Sequence, residues 1–533
     1  MHNEYDVAVA GAGPVGATLA IDLARRGVRT LLLERATTPR RLPKMERCNA
    51  RTMEMYRRLG LADTFRRASR FTPEPMDVFV VADFSFPPLA HLRYPSVPEA
   101  QARIAASTDG AMPLEPQQLI SQYTVEPILR EAAQASGAVL QYGAEVIGFA
   151  QDRDGVDISV SAADGTVRQV RASWLVGCDG GVSTVRKQLG IALEGRGRIR
   201  RVHQVFFRSE QLYQRIPYGR GRHYYFAEGA IVVQDDLRHF MFNFADWQPG
   251  DDARARLHKQ IGFDVDIEVL HEGDWYHHLL VAERYRDGRV FIAGDSAHLV
   301  IPQGALGMNT GVGDAIDLAW KLAGTVAGWG GPALLDSYDA ERREIGLRNR
   351  QASGEAAGSV AKWRSAVTPA IRAVGSEGEA VRKQVAALAV EYQPISHELL
   401  GIELGYRYTK SPIIALEPDN AEHSGLRDYR PTASPGARLP HVWRANGSAV
   451  QDALGPGYTM LCLGCQSPNA LVEAMKRLGA PIEVVSMPEP RLRAVYEHEL
   501  LLIRPDLHVT WRGDRLPEDV DAVARLATGN MPT

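Results

Sequence analysis

Four cysteines in 533 residues (Cys48, Cys178, Cys462, Cys465) are too few to staple a chain of this length. Only Cys462-Leu463-Gly464-Cys465 has the spacing of a redox pair. Cys462 falls inside an apparent strand, Tyr458–Leu463, and the next helix begins near Ser467-Pro468. A working dithiol places its first thiol at a helix start, where the dipole lowers its pKa, so packed thiols are expected here. No window offers about twenty consecutive apolar residues, which excludes a helical membrane span. The N-terminus carries no charged leader, and a cytoplasmic protein is expected. A net charge of -3 gives no footprint for nucleic acid or an anionic membrane. His277-His278 is not a ligand spacing and no Cys/His cluster appears, so no metal is expected. Internal repeats are lacking, and so is a second Gly-rich nucleotide loop.

One such loop is present. An apolar strand (Val7–Ala10) runs into Gly11-Ala12-Gly13-Pro14-Val15-Gly16, then a helix (Ala17–Arg26), a turn at Gly27, and a second strand (Thr30–Leu33) ending in Glu34-Arg35. A GxGxxG between strand and helix, with an acid about twenty residues on, is a dinucleotide fingerprint. Gly11 permits the tight turn, Gly13 lets a pyrophosphate approach the backbone, and Gly16 lets helix and strand pack. The phosphates belong on the helix N-terminus, where free N–H groups and the dipole favour anions. Glu34 is placed to bind a ribose hydroxyl.

The length suggests about three domains. Residues 73–115 are rich in Pro and Phe and read as loops and strands. Gln118–Ser136 reads as a helix. Residues 202–247 alternate aromatic and polar positions, which argues for an antiparallel sheet with one buried face. A long Ala-rich helical region covers 333–400. Asp428–Pro440 reads as a linker, and the last ~90 residues as a small α/β unit.

Two further motifs narrow the nucleotide. Leu175-Val176-Gly177-Cys178-Asp179-Gly180-Gly181 is a strand entering a turn. Val290-Phe291-Ile292-Ala293-Gly294-Asp295-Ser296-Ala297-His298 is another, followed by Pro302-Gln303-Gly304-Ala305-Leu306-Gly307-Met308-Asn309 and a helix containing Asp314. Together with the first loop they resemble the single-component flavoprotein aromatic hydroxylases of the para-hydroxybenzoate hydroxylase superfamily. Tyr338-Asp339-Ala340-Glu341-Arg342-Arg343 and Arg438-Leu439-Pro440-His441-Val442-Trp443 are similar to later signatures of its phenol hydroxylase and aromatic polyketide hydroxylase branch.

The resemblance implies an α/β fold. A Rossmann-like FAD-binding domain (1–75, 112–190, 285–400) is interleaved with an antiparallel-sheet substrate domain (76–111, 191–284). A linker (401–440) and a thioredoxin-like α/β domain without working cysteines (441–533) follow. It implies FAD as cofactor, with Asp295 on a ribityl hydroxyl; a helix N-cap is the alternative. Pro302 and the backbone of Gly307-Met308-Asn309 would face the flavin pyrimidine edge, and Asp179 and Gly180 would lie near the flavin and the coenzyme. Gln122 would approach the ribityl or phosphate region. Lys44 or Arg47 would bind the adenosine phosphates, face the active chamber, or form a surface ion pair.

The implied reaction is a monooxygenation with NAD(P)H and O2. FAD is reduced by a transiently docked NAD(P)H, and a C4a-hydroperoxyflavin hydroxylates a small phenolic aromatic substrate. Baeyer–Villiger oxygenation of a polycyclic ketone, and a flavin-binding protein or reductase without oxygen transfer, are the alternatives. Candidates over the ring are His223, Tyr224, Tyr225 and His239, with Arg215 and Arg222 for a substrate carboxylate. A homodimer is among the expected states.

Overall fold

The computed structural model describes residues 4–38, 42–43, 45–418 and 424–531; Lys44 lies outside them. Its first sheet is built around Tyr5–Ala10, which pairs in parallel with Thr30–Glu34 on one side and with Val167–Gly177 on the other. Val139–Tyr142 and Val290–Ile292 extend the parallel order outward. Val7, Ala8 and Val9 have no exposed surface, as expected for strands of a parallel sheet buried on both faces.

The second sheet has eight strands. Running inward from one edge, His298–Leu299 is followed by Glu268–Ala282, Leu193–Arg208, His239–Phe244, Ala230–Val233, His223–Tyr225, Val78–Val80 and Ala90–Leu92. Its period-two pattern sorts the side chains. Phe207, Phe240, Phe242, Phe244, Ile231 and Val233 fill a core under helix Ala253–Ile261. Tyr224 belongs to that core: it stacks on Phe79 at 5.3 Å and its hydroxyl donates to Gly219 O. It therefore faces away from its neighbours His223 and Tyr225, which corrects its placement over the ring.

Two helices lie where loops, or no element, are expected. Val97–Ala105 opens on a capping box formed by Ser96 and Glu99, with Pro98 in the first turn. Pro490–Tyr496 lies between the second and third strands of the C-terminal unit. Gln118–Leu119 is a short strand, and the helix starts at Gln122.

The C-terminal sheet runs Ile482–Ser486, Tyr458–Cys462, Leu500–Ile503, Val509–Gly513; the first pair is parallel and the others antiparallel. Cys462 ends its strand, buried, and burial pushes its thiol pKa up; Cys465 is exposed. Cys462→Ser with Cys465→Ser is expected to leave turnover unchanged within about twofold. A tenfold loss of kcat at normal FAD content, about 1.4 kcal/mol of barrier, would overturn the packing role.

The stretch expected as a linker is bound down. It carries a helix, Leu400–Leu404, and Arg438, fully buried, holds Glu54 of helix Ala50–Arg58 in a two-pronged ion pair. Beyond it the C-terminal unit is locked to the long helices Leu306–Val326 and Pro332–Arg364 by a dry ionic cluster. Arg504 lies 2.7 Å from Glu341, 2.9 Å from Asp317 and 2.5 Å from Asp506. Lys321 holds Asp317 at 2.7 Å and Glu341 at 2.6 Å.

Candidate functional site

The Gly-rich turn has the geometry its spacing predicts. Gly11 has φ +101°, and a Cβ there would lie 2.4 Å from Cys178 O. A Cβ on Gly16 would lie 2.0 Å from Gly11 O, while one on Gly13 would meet nothing within 4 Å. Helix Pro14–Arg25 begins with Pro14 at its first position and no side-chain cap, so its first N–H groups remain for a ligand. Val15 packs against Gly294 and Gly311, where a Cβ would lie 2.9 and 2.5 Å from it. It wedges the turn against the Gly294-Asp295 loop and the long helix. Glu34 is fixed by the N–H groups of Ala12 (2.8 Å) and Ala36 (2.9 Å) at the end of its strand. Arg35 points outward to Glu145, 3.8 Å away.

A cation missed by sequence reasoning joins this loop. Arg130 donates from Nε to Ala12 O at 2.8 Å and lies 3.7 Å from Glu34, with a side chain 4% exposed. Its Nη1 is buried without a hydrogen-bond partner. A buried guanidinium with an orphaned donor beside a Gly-rich turn fits a diphosphate. The signal was available: Gln122, Glu126 and Arg130 recur every four residues along one helix face. Gln122 Nε2 donates to Glu126 Oε1 at 2.6 Å, and Glu126 lies 3.2 Å from Arg130.

The two strand-end motifs meet. Ser296 Oγ donates to Asp179 Oδ1 (3.0 Å) and accepts from Gly180 N–H (3.1 Å). Asp179 Oδ2 accepts from Thr184 and Val185 N–H groups, so this carboxylate caps the following helix. Gly180 has φ +84° and open space beside it. Asp295 sits between two locked neighbours: Gly294 N–H donates to the buried Asp314, and Ser296 is held by Asp179. Asp295 itself is exposed. Asp314 is the hub of the loop, also bound by His298 at 2.9 Å and Arg342 at 2.8 Å.

Helix Leu306–Val326 starts after Ala305, whose φ of +53° turns the chain sharply into it, and it has no side-chain cap. Pro302 is exposed and Gly307 and Met308 half-buried at this start. The N–H groups of this first turn form a positive end suited to a flavin pyrimidine edge. The Asn309 side chain ties this start to the protein: it accepts from Asn49 N–H and donates to Arg47 O and Ala305 O. Arg47 is buried and donates to Gly304 O (2.7 Å) and Gln117 (2.5 Å), with Glu403 3.6 Å away. It anchors the Gly304 loop. A small cavity of about 40 Å³ behind the helix start, between Asn349, Tyr406 and His508, has room only for water.

The second sheet presents a polar cluster beside that loop. His223 Nε2 lies 3.3 Å from Glu46, the neighbour of Arg47. Burial opposes ionisation of Glu46, but His223, Arg222 and Arg47 outweigh it and hold its pKa down to about 2. Burial lowers the His223 pKa against the pull of Glu46, so the imidazole is neutral at physiological pH. Tyr225 sits edge-on to His223 at 5.7 Å. Arg222, 1% exposed, donates to His397 Nδ1 at 2.8 Å, and the His397 ring lies 5.4 Å from that of His223. His239 is on the same face but paired with Asp236 at 2.5 Å and stacked on Phe206. Arg215 is not part of the cluster; it lies over Phe263 and donates to Asp264 O at the surface. Glu46 and His397 were not singled out from the sequence, since neither lies in a motif.

Comparison with known proteins identifies the family. Residues 4–353 match the FAD binding domain family, and residues 432–530 match the aromatic-ring hydroxylase C-terminal domain. An FAD-dependent monooxygenase of Emericella nidulans, apdD, is 32% identical over 99% of this chain and 90% of its own length. The rebeccamycin biosynthetic enzyme RebC, solved with reduced flavin, superimposes with a TM-score of 0.90 at 30% identity over 99% of both chains. Aklavinone-11 hydroxylase, in ternary complex with FAD and aklavinone, gives 0.83 at 29% identity over 99% of this chain and 100% of its own.

Proposed function

We infer the function from one premise: this chain belongs to the FAD binding domain family and carries an aromatic-ring hydroxylase C-terminal domain. It is an FAD-dependent aromatic-ring monooxygenase. The substrate we propose is a phenolic, polycyclic aromatic held between the second sheet and the Pro302–Met308 loop. The observation that carries this is the junction of Arg47 with Gly304, which sets Glu46 and His223 beside that loop. Ligation of aklavinone by a structural relative supports a polycyclic ring.

FAD bound here would supply the chemistry, hydride acceptance from NAD(P)H and activation of O2 for transfer of one oxygen atom to the ring. The residues that would hold it are the Gly11–Gly16 turn and Arg130 at the diphosphate, Glu34 at the ribose, and Asp295 at a ribityl hydroxyl. The N–H groups from Leu306 to Met308 would meet the pyrimidine edge, where they stabilise negative charge. His223, neutral and steadied by Glu46 at Nε2, is placed to take a phenolic proton at Nδ1. Tyr225 walls the chamber beside it.

We read the domains as a discontinuous FAD-binding unit, a sheet unit inserted twice, and a C-terminal unit that is thioredoxin-like, a reading supported by the separate sheets and by the strand order of the last. Few cysteines suit a cytoplasmic enzyme, and sedimentation will test the homodimer reading.

Incubation with labelled O2, NAD(P)H and a panel of phenols is expected to give a product with one labelled ring hydroxyl. His223→Asn is expected to lower product formed per NAD(P)H about tenfold at wild-type FAD content. An ester product would convert the reading to Baeyer–Villiger chemistry, and no label in any product would refute oxygen transfer. Equal coupling in the His223 variant would remove His223 from the reaction.

A further inference from the structure

The two long strands Leu193–Arg208 and Glu268–Ala282 form a ribbon that joins the second sheet to the flavin-binding unit. Its register passes from Arg196 opposite Leu279 to Arg200 opposite His277, so the first strand carries surplus residues. They form a bulge at Gly197-Arg198-Ile199, with Arg198 in the left-handed region at φ +49°. Bulges of this kind re-aim side chains. The Arg198 guanidinium rests over the Tyr276 ring at 4.0 Å, and the Arg198 backbone N–H donates to His278 Nδ1 at 3.3 Å.

The charges here are unbalanced. Arg201 is paired with Asp274 at 2.7 Å, and Glu194 is taken by Arg343 at 2.8 Å. Arg196, Arg198 and Arg200 are exposed, and among the described residues none has an acidic partner. Burial together with Arg200 and His278 pushes His277 down to about 4, and burial and Arg198 lower His278, so neither adds charge near neutral pH. Three exposed cations without counter-charge stand out on a chain of net charge -3.

Their position matters more than their number. Leu280, next along the ribbon from Leu279, pairs with Leu299. The Leu299 side chain covers Gly181, where a Cβ would lie 2.9 Å from it. Gly181 continues the Asp179-Gly180 turn that Ser296 ties to Asp295. The cationic ribbon therefore starts one strand from the groove that would hold the flavin. The chain has one Gly-rich nucleotide turn, and FAD claims it. A reduced nicotinamide dinucleotide, with its diphosphate and, in one form, a 2′-phosphate, must be held elsewhere.

We propose that Arg196, Arg198 and Arg200 are the docking site for the phosphates of the reduced nicotinamide dinucleotide. The proposal rests on the monooxygenase reading. Guanidinium groups free of carboxylates offer planar, two-pronged contacts to phosphate oxygens. Tyr276 holds Arg198 extended by stacking, which reduces the ordering cost of binding. An exposed, shallow site of this type suits a coenzyme that must arrive and leave in every turnover.

The test uses the holoenzyme with Arg196→Gln, Arg198→Gln and Arg200→Gln combined. Anaerobic reduction of the bound flavin is followed over a range of NADPH and of NADH. The half-saturating coenzyme concentration is expected to rise at least tenfold, with the limiting rate, FAD content and reduction by dithionite unchanged. A rise for both coenzymes assigns the arginines to the diphosphate; a rise for NADPH alone assigns them to the 2′-phosphate. Unchanged half-saturation for both overturns the docking site and leaves the monooxygenase reading intact. A wild-type flavin that neither coenzyme reduces overturns both. Should the triple variant fail to fold, the wild type provides the measurement: its half-saturation must rise steeply with KCl, and insensitivity to salt overturns the proposal.

Discussion

Asp295→Ala is expected to bind FAD roughly 30- to 150-fold more weakly than the wild type, the equivalent of about 2–3 kcal/mol for a hydrogen bond to an ionised group. Asp295 makes the change clean. Its neighbours are held by other residues, Gly294 by Asp314 and Ser296 by Asp179, and the Asp295 side chain is exposed in the short turn Gly294–Ser296. Removing it costs the protein no packing, so the apoprotein should melt where the wild-type apoprotein melts. Titrating apoprotein with FAD and following flavin fluorescence measures the loss. Wild-type affinity in the variant would mean that the carboxylate does not touch the cofactor.

Arg504→Met is expected to cost about 3–5 kcal/mol of stability, the usual result of removing one partner from a buried ion cluster. Arg504 faces Glu341, Asp317 and Asp506, and Lys321 is the other cation. Burial, with Glu341 adding to it, raises the Asp317 pKa well above the usual carboxylate range, whereas Arg504 and Lys321 overcome burial to hold Glu341 ionised. Two cations, Arg504 and Lys321, face the carboxyl groups of Asp317, Glu341 and Asp506. Without Arg504 a net negative charge stays in a dry interface, and Met cannot answer it. Urea unfolding followed by far-UV circular dichroism and by flavin fluorescence should both shift, because the cluster joins the C-terminal unit to helices of the flavin-binding unit. A loss below about 1 kcal/mol would show that the cluster is solvated.

Local features of the site were legible. The strand, Gly-rich turn and helix can be read from spacing because each role is set by residues within about twenty positions of one another. The second sheet was legible in period but not in phase. Alternation says that His223 and Tyr225 share a face and Tyr224 takes the other; which face is core depends on helix Ala253–Ile261 covering one side. Arg215 was misplaced for the same reason, since its helix Leu212–Arg215 lies against the core face. His397 meets Arg222 across 175 residues, and Arg438 meets Glu54 across 384. No local pattern encodes either contact, so a stretch rich in Pro and Gly reads as a linker although its arginine is buried. Helix Val97–Ala105 announced itself through Ser96, Pro98 and Glu99, but the Pro- and Phe-rich surroundings hid that signal.

The ionic cluster also sets a clock. Glu341 leaves the ribosome 163 residues before Arg504, and at about 5–20 residues per second that is a delay of roughly 8–30 s. Throughout it, Asp317, Lys321 and Glu341 stand without the guanidinium that completes their charge balance. The helices bearing them cannot settle into their final dry packing until Arg504 has been made. The nascent protein is therefore expected to remain protease-sensitive and loosely packed at the back of the Leu306–Val326 helix, although its nucleotide turn was synthesised first.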